Sequence, residues 1–404
     1  MTPLTQPKIT HDLVIAGGGH AGMTLALTVK SALGHSINVA VYDPNGFEPR
    51  AQDLRASAIA AVIRHEFEAL GLWDDLIHEA QPIHTMVITD TALSEPVRPT
   101  LLSFGNKQGD EPFAHMVGNN ALSTVLKKAV QAAGVELIKA PVLTYCVKSE
   151  TVEMSHGKDA LSTATLLIGA DGGRSHLREH AGIAFYGWGY GQMALVATIG
   201  HERPHYGQAV EHFLPSGPFA ILPLMGNRSS IVWTEKDAGA KRLMALETPE
   251  LLRELERRFG LELGELTLLT PLEAWPLKLG LARRFIAERL ALIGDAAHVI
   301  HPIAGQGLNL GLKDAFALAG RIIDQARLGL DIGDANVLEA YQQDRRFDTS
   351  AMAITTDVLN RLFSNESSAL RAMRGFGLGI VQSIPRLKQF FIGQAAGDNL
   401  TVRD

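Results

Sequence analysis

Three separated stretches of this chain carry residue types at spacings suited to chemistry. The first is Gly17-Gly18-Gly19-His20-Ala21-Gly22, a G-x-G-x-x-G run. Gly17 permits a tight turn, Gly19 lets the backbone approach a pyrophosphate, and Gly22 allows a helix to pack closely on a strand. A helix starting there offers free N–H groups and the positive end of its dipole to phosphates. Asp43 follows about 20 residues further on, where a carboxylate accepts hydrogen bonds from ribose hydroxyls. An acid at that place disfavours a 2′-phosphate, so the pattern suits FAD or NAD over NADP. A glycine turn without a ligand is the competing reading.

The second stretch is Gly169-Ala170-Asp171-Gly172-Gly173-Arg174-Ser175, with Arg178 one turn later. The third runs from Gly294-Asp295-Ala296-Ala297-His298 through His301-Pro302-Ile303-Ala304-Gly305-Gln306-Gly307-Leu308-Asn309 to Gly311 and Asp314. Together the three resemble the glycine fingerprint, the DG motif and the GD motif of the flavin-dependent aromatic hydroxylases, whose fold is that of p-hydroxybenzoate hydroxylase. The third run most resembles the ubiquinone-biosynthesis hydroxylases. The likeness extends over essentially the whole chain in motif order.

The resemblance implies FAD as cofactor, NAD(P)H as transient co-substrate, and O2 and an apolar aromatic molecule as the other reactants. It implies that Asp295 binds a ribityl hydroxyl and that Pro302 breaks the next turn, exposing carbonyls. Gly305 and Gly307 would let the loop lie against the isoalloxazine ring. A helix beginning near Leu308, with Asn309 in its first turn, would direct N–H groups at the flavin edge that turns anionic on reduction. Pro302 and Gln306 are the candidates for the reacting face. Asp171 is implied near FAD and the path of NAD(P)H; a surface turn capping a helix is the structural alternative. Arg55, in Leu54-Arg55-Ala56-Ser57-Ala58, matches an arginine near the pyrophosphate. Asn119 matches an amide facing the ribityl chain, although Gly118 stands where many relatives have an acid.

These motifs require a βαβ unit to hold them. Apolar Leu13 to Ala16 reads as a buried strand, Ala21 to Leu33 as a helix, and Ile37 to Tyr42 as a second strand ending at Asp43. Asn120 to Ala133 reads as a helix, Thr165 to Ala170 and Arg289 to Ile293 as further strands. From Val87 to Met116 the pattern is short and irregular. Between Ile183 and Leu279, alternating runs such as Ala194–Ile199, Phe219–Leu222 and Ser230–Trp233, interrupted by a helix at Pro249–Phe259, read as a mostly antiparallel sheet. The expected fold is α/β. It has a discontinuous Rossmann-like FAD-binding domain (1–85, 116–180 and 286–345), an inserted substrate domain (86–115 and 181–285) and a C-terminal helical region (346–404). Phe213, Leu222 and Pro223 are candidates for the wall of an apolar substrate cavity, with core packing as the alternative.

With 404 residues the chain is long enough for two domains. A net charge of −6 argues against nucleic acid as a main partner. Cys146 is the single cysteine, so no disulfide framework or thiolate metal cluster forms within one chain. His298 and His301 lack a further ligand in their motif and read as loop-packing residues. The start of the chain lacks a signal-peptide pattern and no run is apolar enough to span a bilayer, so the expectation is a cytoplasmic protein with at most peripheral membrane contact. The stretch Leu359 to Phe391 mixes apolar residues with Arg361, Arg371, Arg374, Arg386 and Lys388. It would suit the inner face of the cytoplasmic membrane, a biosynthetic complex, or packing on the main body. The leading expectation is hydroxylation of a polyprenylated phenol for ubiquinone synthesis. The alternatives are a hydroxylase of a small soluble aromatic compound and a non-catalytic flavin-binding scaffold. Arg203 and Arg228 stand isolated in sequence, which favours an uncharged substrate.

Overall fold

The computed structural model describes residues 9–49, 53–90, 100–105, 111–158, 160–302 and 305–363. Its first sheet grows around the strand Ile9–Ala16, whose Leu13, Val14 and Ile15 are wholly buried. A strand apolar on both faces belongs in the middle of a covered parallel sheet. Ile9–Ala16 lies between Val39–Tyr42 and Ala160–Gly169, parallel to both. Leu290–Leu292 extends the sheet beyond Ala160–Gly169, and Glu136–Ile138 extends it at the other side. Helices His20–Leu33, Asn119–Ala132 and Gln306–Arg327 accompany this sheet, and its core takes Leu25, Val29, Leu122, Leu126, Leu318 and Ile322.

The second sheet has nine strands and is antiparallel apart from one pair. Long strands Phe185–His201, Gln208–Leu214, Gly217–Leu224, Arg228–Lys236 and Glu273–Ala282 form its body. The irregular-looking stretch after Val87 supplies two more, Thr85–Asp90 and Thr100–Gly105. Thr85–Asp90 pairs in parallel with Gln208–Leu214, a partner so distant in sequence that no local signal marks it. One face packs on the helices Asp237–Met244 and Thr248–Phe259 through Leu195, Phe219, Ile231 and Trp233. A small third sheet joins Ala56–Ala60, Ala114–Gly118 and Gln81–Ile83.

Three expected boundaries fall inside continuous elements: 85/86 in Thr85–Asp90, 115/116 in Ala114–Gly118, and 345/346 in the helix Ala335–Phe363. Hydrogen-bonded ladders and helical turns run across these points. The helix expected near Leu308 begins at Gln306, because Gly305 adopts the left-handed conformation just before it (φ 64°). Most of the basic and apolar C-terminal stretch lies outside the described residues; Arg361 alone of its named cations lies within them.

Candidate functional site

The three motifs meet pairwise. Gly17 (φ 123°) lies so close to the second motif that a Cβ there would stand 2.1 Å from the Ala170 carbonyl oxygen. The Ala170 N–H donates to Ala16 O at 2.8 Å. Ala21 of the fingerprint helix abuts the third motif: Cβ atoms built on Gly294 and Gly311 would lie 3.6 and 3.7 Å from its own. Arg178 closes the triangle, donating from Nη1 to Ala296 O at 2.8 Å and from Nη2 to Gly173 O at 3.1 Å, with its guanidinium 3.9 Å from the Phe185 ring centre.

Within the fingerprint, Gly22 is constrained mainly by the turn itself, since a Cβ would sit 2.1 Å from Gly17 O and 3.2 Å from Ile15. Gly19 is different. It caps the helix with extended backbone, and a Cβ there would meet nothing within 4 Å. Asp43 is anchored by accepting from Gly18 N–H at 2.9 Å and Asn45 N–H at 2.8 Å, which binds the second strand to the fingerprint loop.

Beside the start of the fingerprint helix lies a polar group that the motifs alone did not reveal. Arg55 forms a two-point ion pair with Asp53, Nε to Oδ1 at 2.8 Å and Nη2 to Oδ2 at 2.6 Å, and sits 4.6 Å from the Trp275 ring centre. Asn119 Oδ1 accepts from Ser57 at 2.8 Å, and Asn119 N–H donates to Arg55 O at 2.9 Å. His20 pairs with Ser123 at 2.9 Å; burial lowers its pKa, so a neutral imidazole stands at the helix start. Asp53 and Trp275 lie in no recognisable motif; Asp53 is two residues from Arg55, whereas only the folding of a distant segment brings Trp275 to it.

In the second motif, Asp171 Oδ2 accepts from Leu177 N–H at 3.2 Å, whereas its Oδ1 is buried without a partner among the described residues. In the third, Asp295 is exposed by surface area, yet surrounding protein desolvates its carboxyl and raises its pKa. Both hold for a residue on the wall of a recess. Pro302 O accepts from Gly305 N–H at 3.0 Å, closing the turn before the helix. A Cβ on Gly307 would meet nothing within 4 Å. Gln306 is buried and Leu308 partly so. Asn309 directs its amide to the protein: Oδ1 accepts from Ala60 N–H at 3.0 Å and Nδ2 donates to Ala58 O at 2.8 Å. Its side chain clamps the loop to the strand Ala56–Ala60.

Behind the loop, wholly buried Asp314 accepts from Gly294 N–H (3.0 Å), His298 Nε2 (2.6 Å) and Arg345 Nε (2.8 Å). Burial alone would raise its pKa, but His298 and Arg345 outweigh that and hold it below the usual carboxylate value. His298 thus acts as a packed structural partner, and no cluster of metal ligands occurs among the described residues. His301 is buried against Tyr190 and its pKa falls to about 4 through burial.

These features fit FAD. The free face of Gly19 at a helix start suits the pyrophosphate, and the carboxylate of Asp43 beside it would suit a ribose. The unpartnered oxygen of Asp171 and the recessed carboxyl of Asp295 provide acceptors, while the bare face of Gly307 suits a flat ring.

Comparisons with known proteins agree. A family described as FAD binding domain matches residues 10–355. The ubiquinone hydroxylase UbiL of Rhodospirillum rubrum is 40% identical over 395 residues, covering 96% of this chain and 89% of that protein. The 3-demethoxyubiquinol 3-hydroxylase of Escherichia coli is 31% identical, covering 96% of this chain and 98% of that one. Among solved structures, p-nitrophenol 4-monooxygenase PnpA from Pseudomonas putida DLL-E4 superposes with a TM-score of 0.76 at 20% identity, covering 97% of this chain and 99% of the other, and so shares the fold. Matched along most of its length, the chain belongs to the FAD-binding domain family of flavin-dependent monooxygenases, and FAD is its cofactor.

Proposed function

We propose that the protein hydroxylates the ring of a polyprenylated phenol in ubiquinone biosynthesis, with NAD(P)H as electron donor and O2 as oxygen source. One observation carries the reading from the side of the structure. A Cβ built on Gly305 would lie 3.4 Å from Ala58, Asn309 donates to the Ala58 carbonyl, and Ala58 packs with an apolar cluster that includes Met86, Leu102 and Ala209 of the nine-stranded sheet. An apolar ring beside the flavin would meet such a wall. Arg203 and Arg228 are exposed and donate to the backbone carbonyls of Leu261 and Met225, away from any role in binding an acid. The names of relatives at 40% and 31% identity support the substrate class.

Bound FAD supplies the redox and oxygen chemistry. The chain's part is to bind, orient and exclude water. In this reading Gly17, Gly19 and Gly22 form the pyrophosphate turn, Asp43 receives the adenosine ribose, and Arg55 stands beside the phosphates. Asn119 and Asp295 face the ribityl chain, and Asp171 stands near FAD and the path of NAD(P)H. Gly305, Gln306, Gly307 and Leu308 edge the ring, with Pro302 and Gln306 at its reacting face, and Asn309 positions that loop. Deletion of the gene should cause a quinone precursor lacking one ring hydroxyl to accumulate, as read by mass spectrometry. An unchanged quinone profile, with no phenol-stimulated NAD(P)H oxidation by purified protein, would overturn the proposal.

The substrate class also bears on location. Among the described residues no helix is long and apolar enough to cross a membrane. On helix Ala335–Phe363, however, Phe347, Ile354 and Val358 are exposed at spacings that share one helical face. Trp188, also exposed, lies against the Arg361 guanidinium at 5.0 Å. We propose that this face, with the basic stretch that follows it, rests on the membrane from which a polyprenyl phenol is drawn.

A further inference from the structure

Strand Gln208–Leu214 alternates between two environments. Val210 and Leu214 pack with the cluster under the helices, and Ala209 packs on the opposite side with Ile83, Met86 and Met116. Period-two alternation puts Glu211 on the Ala209 side. The ladders agree: Glu211 stands opposite Ile88 on one neighbouring strand and Ala220 on the other. Ile88 packs against the same apolar cluster, as does Leu222, two residues beyond Ala220. That cluster extends to Ala58, which receives the amide of Asn309 at 2.8 Å and lies 3.4 Å from a Cβ built on Gly305. A carboxyl therefore shares an apolar wall with the flavin loop.

Glu211 is 4% exposed, and no hydrogen bond or ion pair reaches its carboxyl among the described residues. An unpaired acid in such a place destabilises the fold. Asp314, equally buried, shows the usual solution, with His298, Arg345 and a backbone N–H all directed at its carboxylate. Burial without a compensating partner pushes Glu211 up to about 7.

We infer that Glu211 receives the ring hydroxyl of the aromatic substrate and so selects which ring carbon is turned to the flavin; this rests on the hydroxylase reading above. As a carboxylate it accepts the hydroxyl's hydrogen bond, and as a neutral acid it donates one. The rest of the ring meets Ile88 and Leu222. The recognised class is an aromatic ring bearing a free hydroxyl, as opposed to its ether. A polar site of this kind rejects a ligand lacking the hydroxyl more strongly than an apolar pocket does.

The test compares the FAD-loaded wild type with Glu211→Gln and Glu211→Leu, on a short-chain prenyl phenol and its methyl ether. KM, kcat and the ratio of hydroxylated product to hydrogen peroxide are read, with bound FAD as the control for folding. We expect Glu211→Leu to retain FAD, to raise KM for the phenol by about 10- to 100-fold, to lose preference over the ether and to divert turnover to peroxide. Glu211→Gln, which keeps a hydrogen-bonding group of similar shape, should restore KM to within about 3-fold. Wild-type KM and preference in Glu211→Leu would overturn the inference alone. No hydroxylation of either compound by the wild type would overturn the hydroxylase reading itself.

Discussion

Arg178 and Ala296 are joined across two motifs, with the guanidinium Nη1 donating to the Ala296 carbonyl at 2.8 Å. Because Ala296 follows Asp295 directly, this bond holds the third motif against the second and fixes the recess between them. Arg178→Ala should leave the carbonyls of Ala296 and Gly173 without this donor. Loss of roughly 2–3 kcal/mol is expected, with weakened FAD binding. Arg178→Lys should recover little, since one ammonium does not reproduce the fork over Phe185. Denaturant unfolding and FAD titration of the three proteins check this.

The two ends of the fingerprint should separate binding from stability. Gly17→Ala forces a side chain into the Ala170 carbonyl at a positive φ and should cost about 3 kcal/mol or more, even without cofactor. A Cβ on Gly19 meets nothing within 4 Å, so the Gly19→Val apoprotein should unfold near the wild-type midpoint while FAD affinity falls by about 100-fold or more. Equal destabilisation of both apoproteins would contradict the assignment.

Asp314 predicts an acid limb. Its pKa is held below the ordinary 3.8, so its stabilising contribution is present above that value and fades as pH falls through the lower, folded-state pKa. Asp314→Asn should remove this limb and, by breaking a buried pair, cost about 3–5 kcal/mol at neutral pH. Thermal unfolding between pH 3 and 7 reads both effects; an unchanged acid limb in the variant would count against it.

Glu211 predicts the opposite slope. Its pKa rises from 4.5 to about 7, so the unfolded chain ionises first and stability declines as pH climbs between those values. Glu211→Gln should make the apoprotein more stable at pH 8 by roughly 3 kcal/mol and about neutral at pH 4. Unfolding of wild type and variant at the two pH values measures the difference, and parallel profiles would show that the carboxyl finds a partner on folding.

The exposed face of the last helix predicts vesicle binding. The full chain should float with anionic liposomes at low salt, and Phe347→Ser with Ile354→Ser should reduce the bound fraction several-fold without loss of FAD. Absence of flotation even at low salt would remove the membrane proposal while leaving the chemistry untouched.

Much of the site was legible along the chain because its parts are local. A glycine that must turn tightly, an acid ending the next strand, and a glycine loop opening a helix each depend on neighbours in sequence. Gly17 and Asp43 could therefore be singled out from spacing alone, together with the α/β class, and the resemblance singled out Gly305. The resemblance then named the cofactor. Asn309 was also singled out, but its amide faces Ala58 and Ala60, because the partner strand lies some 250 positions away.

What only the tertiary structure decided are the relationships with no local signal. Thr85–Asp90 reads as irregular until its parallel partner arrives from beyond residue 200. Trp275 joins Arg55, and Arg345 joins Asp314, across long separations. Glu211 looks like one polar residue in an alternating strand, and alternation marks two faces without saying which one water touches. That choice is made when the strand's two neighbours and the sheet opposite close over it. Local spacing determined that this chain binds a dinucleotide, whereas packing decided where a buried carboxyl is left for the substrate.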